Sequence, residues 1–442
     1  MNGTLDLIIK QASVVLESGI LQKDIGVKNG KVVSIEDTLS QPAADVYDAS
    51  GLHLFPGMID THVHFNEPGR EEWEGFTTGS RMMAAGGATM FFDMPLNGIP
   101  STTTRGALIE KQRVAAQKSL IDFRLWGGLV PGNEHHLASM AEEGVIGFKA
   151  FLSETGNDEF EAVDDHTLIQ GMKEIAKTGK ILALHAESGP MTAFLTKEFS
   201  KRGNGTPEEY LASRPVEAEL EAVERAIYYA EIAKCPLHFV HISSKRSLER
   251  IEAAKAKGMD ITVETCAHYL LFNHIALKQK GAIAKCAPPL RSEEEQKELI
   301  ELVMEERFDF ITSDHSPCPP DMKSSDNLFE SWGGISGGQF TLLSMVELAV
   351  TYNIPFEKIA SLTAGNAARR FQLENKGHIR IGNDADFALV NTRRPFTVTE
   401  DNFRAKHKHS IYMGHTFPCT IEASLSRGRM VFKQDYEKQR TN

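Results

Sequence analysis

Eight short apolar runs, each separated from the next by enough sequence for a helix, constrain this chain more than any other feature. They lie at 54–60, 89–94, 123–129, 145–151, 181–185, 237–242, 261–265 and 310–313. Intervening stretches such as 215–233 and 293–306 carry apolar residues at three-to-four spacing among charges, the pattern of a helix that buries one face. Eight alternating β and α units predict an α/β fold, a closed parallel barrel of the TIM type, (β/α)8, with reactive groups at the carboxyl ends of the strands. The length of 442 residues agrees, because one such barrel absorbs about 250 residues or more.

The two ends of the chain have a different texture. Residues 4–36, 377–391 and 411–433 alternate β-branched runs with turn signals such as Lys28-Asn29-Gly30 and Gly382-Asn383-Asp384, which predicts strands from both termini in one sheet. Hydrophobic residues at 41% and charged residues at 24% are ordinary for a folded globular chain. The 48 basic against 60 acidic residues leave a net charge of −12, which argues against nucleic acid or an anionic membrane as a partner. Residues 1–30 lack a secretory pattern, and no run approaches the ~20 apolar residues of a membrane span. Five cysteines, widely spaced and without a C-x-x-C pair, fit reduced thiols, so the expected compartment is the cytoplasm.

The ends of the predicted strands carry the chemistry. His62-Val63-His64 closes the first, and two imidazoles one residue apart on an extended strand point to the same face. Lys149 is a lone cation in the apolar run Gly147-Phe148-Lys149-Ala150-Phe151, and His185, His241 and Asp314 follow at the ends of the fifth, sixth and eighth strands. Imidazole nitrogen and carboxylate oxygen suit a hard or borderline divalent ion. The lysine is the odd member, since an ammonium would repel cations. Burial beside positive charge lowers its pKa, however, and a neutral amine can capture carbon dioxide to become a carbamate with one oxygen for each of two metals. Four histidines, one carbamate and one aspartate suffice for a two-metal site.

These residues, with the stretch Pro56-Gly57-Met58-Ile59-Asp60-Thr61-His62-Val63-His64, the segment Ser313-Asp314-His315-Ser316-Pro317 and the closing 377–390, resemble the cyclic amidohydrolases of the metal-dependent amidohydrolase superfamily. That group includes allantoinases, dihydropyrimidinases (hydantoinases) and dihydroorotases. The resemblance spans nearly the whole chain and implies a barrel domain at 54–376 with a small β-sandwich domain composed of 1–53 and 377–442. It implies that His62 and His64 hold the more buried metal with Asp314, that His185 and His241 hold the second, and that Lys149, as N6-carboxylysine, bridges them. Zinc is expected, and cobalt, manganese or iron(II) would suit the same ligands. It also implies a homotetramer, and catalysis in which a hydroxide shared by two cations attacks the ring carbonyl while Asp314 serves as general base and then general acid.

Within the group, dihydroorotases carry an arginine two residues beyond the H-x-H pair to grip a substrate carboxylate. This chain has Asn66 there, which counts against an anionic substrate. The tyrosine that dihydropyrimidinases place after the carbamate lysine is missing from Lys149-Ala150-Phe151-Leu152-Ser153-Glu154-Thr155. The segments at 64–70, 72–76, 93–97 and 331–338 resemble the allantoinases, whose substrate, allantoin, is a hydantoin ring with a neutral ureido arm opened to allantoate in purine and ureide breakdown. By position in that pattern Asn97 and backbone groups at Ala287 and Gly333 are expected to meet the substrate, and His315, beside the pocket, is expected to have a substrate or an outer hydrogen-bonding role. A hydantoinase of unusual specificity and a non-catalytic scaffold are the alternative readings, and the intact ligand positions argue against the scaffold. Among the remaining histidines His238 is expected to be structural. Cys286 and Cys318 are expected to be reduced packing thiols, and Trp332 invites a substrate role.

Overall fold

The computed structural model describes residues 4–434. Residues 1–3 and 435–442, which belong to the expected composite domain, lie outside the described residues. The chain begins with β1 (Leu5–Leu16), which pairs antiparallel with β2 (Gly19–Lys28), and β2 pairs antiparallel with β3 (Lys31–Glu36). On the other edge of β1, β4 (Ala43–Asp48) runs parallel to its first half and β5 (His53–Pro56) parallel to its second.

The barrel follows directly. Strands β6 (Met58–Val63), β7 (Ala88–Asp93) and β8 (Asp122–Leu125) are parallel neighbours. They are followed by β9 (Gly127–Gly128), β10 (Phe148–Phe151), β11 (Leu182–His185), β12 (Leu237–Phe239), β13 (Ile261–Cys266) and β14 (Phe310–Thr312), again all parallel. Between β8 and β9, the Trp126 N–H donates to the Asp93 carbonyl and the Gly127 N–H to that of Gly147. These two short strands therefore occupy one barrel position. The sheet closes where Val63 bridges in parallel to His315 and the His64 N–H donates to the His315 carbonyl at 2.8 Å. The eight positions are those of the expected TIM-type barrel.

Local sequence places the surrounding helices. Ser292 and Glu295 form a reciprocal capping box at the start of helix Glu293–Met304. Helix Val216–Ala233 buries Ala218, Ala222, Ala226 and Ala230, residues four apart on one face, as predicted for 215–233. No helix among the described residues is long and apolar enough to cross a membrane.

The end of the chain returns to its beginning. Strand β15 (Phe387–Asn391) pairs antiparallel with β5, β16 (Phe396–Thr397) forms a hairpin with β17 (Thr416–Phe417), and β18 (Thr420–Ser426) and β19 (Arg429–Lys433) extend the first sheet. The eight-stranded sheet thus contains strands from both ends, in the order β19-β18-β15-β5-β1-β2-β3 with β4 beside β1. Ile9, Val14, Ile25, Phe387 and Leu425 belong to a core separate from that of the barrel. The run predicted as one strand at 54–60 is two, divided at Gly57, whose N–H donates to the Asp386 carbonyl at 2.9 Å. A Cβ at this position would lie 2.2 Å from Thr89 Oγ1, so glycine permits the close crossing from terminal sheet to barrel.

Candidate metal centre

Strand periodicity brings the two imidazoles of β6 and the segment after it together. His62 and His64 project the same way while Val63 enters the hydrophobic core. Asp314, just beyond β14, meets both: its Oδ1 is 3.1 Å from His62 Nε2 and 3.3 Å from His64 Nε2. One ligand atom from each residue falls within 4.8 Å of the others. On the adjoining strands His185 Nδ1 lies 3.1 Å from His241 Nε2. The His62 ring centre is 5.5 Å from that of His241, so both imidazole pairs face one space. His241 and Asp314 hold left-handed backbone, with φ of 39° and 43°, a conformation that costs non-glycine residues roughly 1–3 kcal/mol and is concentrated at functional sites.

The remaining ring nitrogens of His62, His64 and His185 are committed, whereas His241 Nδ1 is buried without a partner among the described residues. His62 Nδ1 is 2.6 Å from Glu264 Oε1, and His64 Nδ1 is 3.2 Å from the Leu96 carbonyl. His185 Nε2 is 2.8 Å from Glu187 Oε2. Each acceptor fixes a tautomer that leaves the opposite nitrogen with a free lone pair directed into the shared space. Burial holds His62, His185 and His241 below the usual imidazole pKa, so they favour the neutral, metal-binding form. Burial opposes ionisation of Asp314, but His62 and His64 outweigh it and keep the carboxyl anionic, at about 2.

Lys149 on β10 is fully buried. Its Nζ has no hydrogen-bond partner among the described residues and sits 4.8 Å from the centre of the Phe151 ring. Burial pushes its pKa down to about 7 against the opposing pull of Asp314 and Glu264, which favours the neutral amine. A buried amine with no acceptor, beside two sets of imidazoles whose lone pairs converge, fits a carbamate between two divalent ions. The donor set is nitrogen and oxygen throughout, as zinc and its first-row neighbours prefer.

These groups form the floor of a cavity of about 590 Å³, lined by His62, His64, His185, His241 and Asp314. The expected substrate contacts Asn97, Ala287 and Gly333 also line it, as does Trp332, which rests edge-on against Trp73. Asn97 Nδ2 donates to Asn66 Oδ1 at 3.1 Å and leaves Asn97 Oδ1 buried without a partner, an acceptor available to a ligand N–H. His315 does not line the cavity. Its Nδ1 accepts from the Gly338 N–H at 3.4 Å and its Nε2 lies 3.5 Å from Glu74.

Several carboxylates that organise the site were not singled out from sequence. Glu264 on β13 bridges His62 to His238, whose Nε2 is 3.0 Å from Oε2, so the histidine expected to be structural supports a candidate ligand from behind. Burial opposes ionisation of Glu264, yet the two imidazoles lower its pKa overall. Glu187 is held at about 2 by Arg214 and His185 despite its burial, and Arg214 Nη1 donates to it at 2.5 Å. Asp60, with its pKa raised to about 7 by burial, accepts from the His62 and Ser313 N–H groups and ties β6 to β14. Strand position was the available signal: Glu264 is a lone acid in an apolar strand, and Glu187 lies two residues beyond His185. Cys286 and Cys318 are buried and unpaired, as expected of packing thiols.

Residues 53–431 match the amidohydrolase family. The chain belongs to that family. The amidohydrolases it resembles include an allantoinase of Bacillus velezensis, 55% identical over 98% of this chain and 95% of the relative. An allantoinase of Deinococcus radiodurans is 46% identical over 97% and 96%. Among solved structures, L-hydantoinase (dihydropyrimidinase) from Arthrobacter aurescens superimposes with a TM-score of 0.94 at 31% identity, covering 97% of this chain and 96% of that one. A D-hydantoinase has a TM-score of 0.90 at 27% identity, with the same coverage. Amidohydrolases of this kind hydrolyse cyclic amides and generally use a binuclear metal centre.

Proposed function

We propose that this amidohydrolase opens the hydantoin ring of allantoin to give allantoate. The observation that carries the reading is the 55% identity, over 98% of the chain, to a relative named allantoinase. The cavity adds physical support. Asn66, where an arginine would favour an anionic substrate, accepts from Asn97, a cavity-lining residue whose amide oxygen has no partner. A neutral substrate rich in N–H groups suits that arrangement.

His62, His64 and Asp314 would hold one divalent ion, His185 and His241 the other, and Lys149 as N6-carboxylysine would join them. Zinc is favoured by the donors. When bound, such a pair supplies a hydroxide nucleophile at neutral pH and polarises the scissile carbonyl. Asp314 accepts the nucleophile's proton during attack and returns it to the departing ring nitrogen, which suits a carboxylate kept ionised at the cavity floor. Glu264 and Glu187 hold the imidazoles in their tautomers throughout. Asn97 and backbone groups at Ala287 and Gly333 orient the ring. The same reading includes a catalytic domain at 54–376, a composite domain from 1–53 and 377–442, a cytoplasmic setting and a homotetramer.

The solved relatives favour a hydantoinase as the second reading, because a hydantoinase is matched at a TM-score of 0.94. Parallel assays with allantoin, dihydrouracil and dihydroorotate separate the two. Preferred turnover of allantoin supports the proposal, and preferred turnover of dihydrouracil overturns it.

A further inference from the structure

Lys285 stands in the wall of the active-site cavity and is only 8% exposed. Its Nζ donates to the Ser331 carbonyl at 2.5 Å and lies 5.0 Å from the centre of the Tyr210 ring. That ring is fixed in place because the Tyr210 hydroxyl donates to the Cys286 carbonyl at 2.7 Å. Among the described residues no carboxylate lies within ion-pair distance of Lys285. The charges that bear on it are cations, Arg214 and Lys323. Arg214 is committed to Glu187, and Lys323 to the Ala282 and Gly334 carbonyls. Lys285 is therefore a buried amino group with one carbonyl acceptor, and its charged form is costly there unless a ligand completes it. Its pKa is pushed down to about 7, chiefly by burial, in keeping with that missing partner.

The position indicates which part of a ligand it meets. A Cβ on Gly333 would lie 3.8 Å from Lys285 Cε, so the stem packs beside the Gly333 wall. The hydrogen bond and ring contact of its Nζ are to Ser331 and Tyr210, not to the imidazoles or Asp314, where the ring opens. In the proposed reaction the scissile amide sits at Asp314, which leaves Lys285 for a group of the substrate outside that amide. We infer that Lys285 donates to the exocyclic carbonyl oxygen of the substrate and thereby selects hydantoins bearing a ureido arm. This deepens the proposed function and rests on it.

The test uses the metal-loaded enzyme and its variants Lys285→Met and Lys285→Gln. It reads KM for allantoin, the Ki of unsubstituted hydantoin as a competitor, and the thermal midpoint. Loss of the arm contact raises KM for allantoin about tenfold or more in both variants and leaves the Ki of hydantoin within about twofold. The midpoint of Lys285→Met rises, because a buried charge without a counter-ion has been removed. Equal changes for both ligands, or unchanged KM, overturn the inference. Failure of both variants to fold also overturns it, since it assigns the lysine to structure. A wild-type enzyme that leaves allantoin intact overturns the proposed function itself, whereas a wild-type enzyme active on allantoin with insensitive variants overturns the role of Lys285 alone.

Discussion

In the proposed mechanism the chemistry turns on Asp314, which contacts both imidazoles of the first pair and remains anionic despite burial. Replacing it with asparagine preserves shape but removes the proton acceptor. Turnover is expected to fall by about 10²–10⁴-fold while much of the metal, counted by elemental analysis, remains. Glu264→Gln acts differently, weakening the hold on His62, and metal affinity measured with a competing chelator should drop by about 10–100-fold. Glu187 predicts a pH effect. Its carboxyl sits at about 2 in the folded chain against an ordinary 4.5, so the folded state resists protonation between those values. The stability it contributes is complete above pH 4.5 and is lost as pH falls towards 2, and Glu187→Gln should flatten the acid-unfolding curve in that window. His62, His64, His185, His241 and Asp314 could be grouped from the sequence because each stands at or near the end of an apolar run, and Lys149, which the structure places second in β10 and not at its end, because it is a lone cation in one. Glu264, Glu187 and Lys285 could not, because their roles depend on which groups the fold places beside them. His315, for which a substrate or an outer hydrogen-bonding role was expected, lies against Glu74 and the Gly338 N–H and does not line the cavity.

At the level of elements, the alternation of apolar runs and helix-length segments was sufficient to specify the barrel, and the texture of both ends to specify a shared sheet. The junction between them was harder to see. Leu54-Phe55-Pro56-Gly57-Met58-Ile59 reads as one apolar run, although its two halves serve different sheets. Only Gly57 marks the division, and what it permits is a close approach to Thr89, distant in sequence. Gly57→Ala should cost about 1–3 kcal/mol by overpacking, read as a lower midpoint in urea. Trp126 likewise interrupts the third barrel position, where its indole N–H donates to the Thr61 carbonyl at 3.0 Å, next to His62.

Across the whole molecule, the terminal sheet is tied to the barrel by charge as well as by chain. Lys376 reaches Asp122 at the start of β8 and also Asp384 and Asp386 before β15, at 2.5, 2.9 and 2.6 Å. Arg427 shares Asp122, so an acidic trio that resembles a cation site is already neutralised by side chains. The net charge of −12 gave no view of this local balance, just as it gave none of the active-site field. The most direct measurement of the central claim combines metal analysis of the purified protein with an assay of allantoin ring opening. The account predicts two divalent ions per chain and conversion to allantoate, lost on chelation and restored by zinc with bicarbonate. A metal-free chain that opens allantoin at an undiminished rate, or a two-metal chain that leaves it intact, would contradict it.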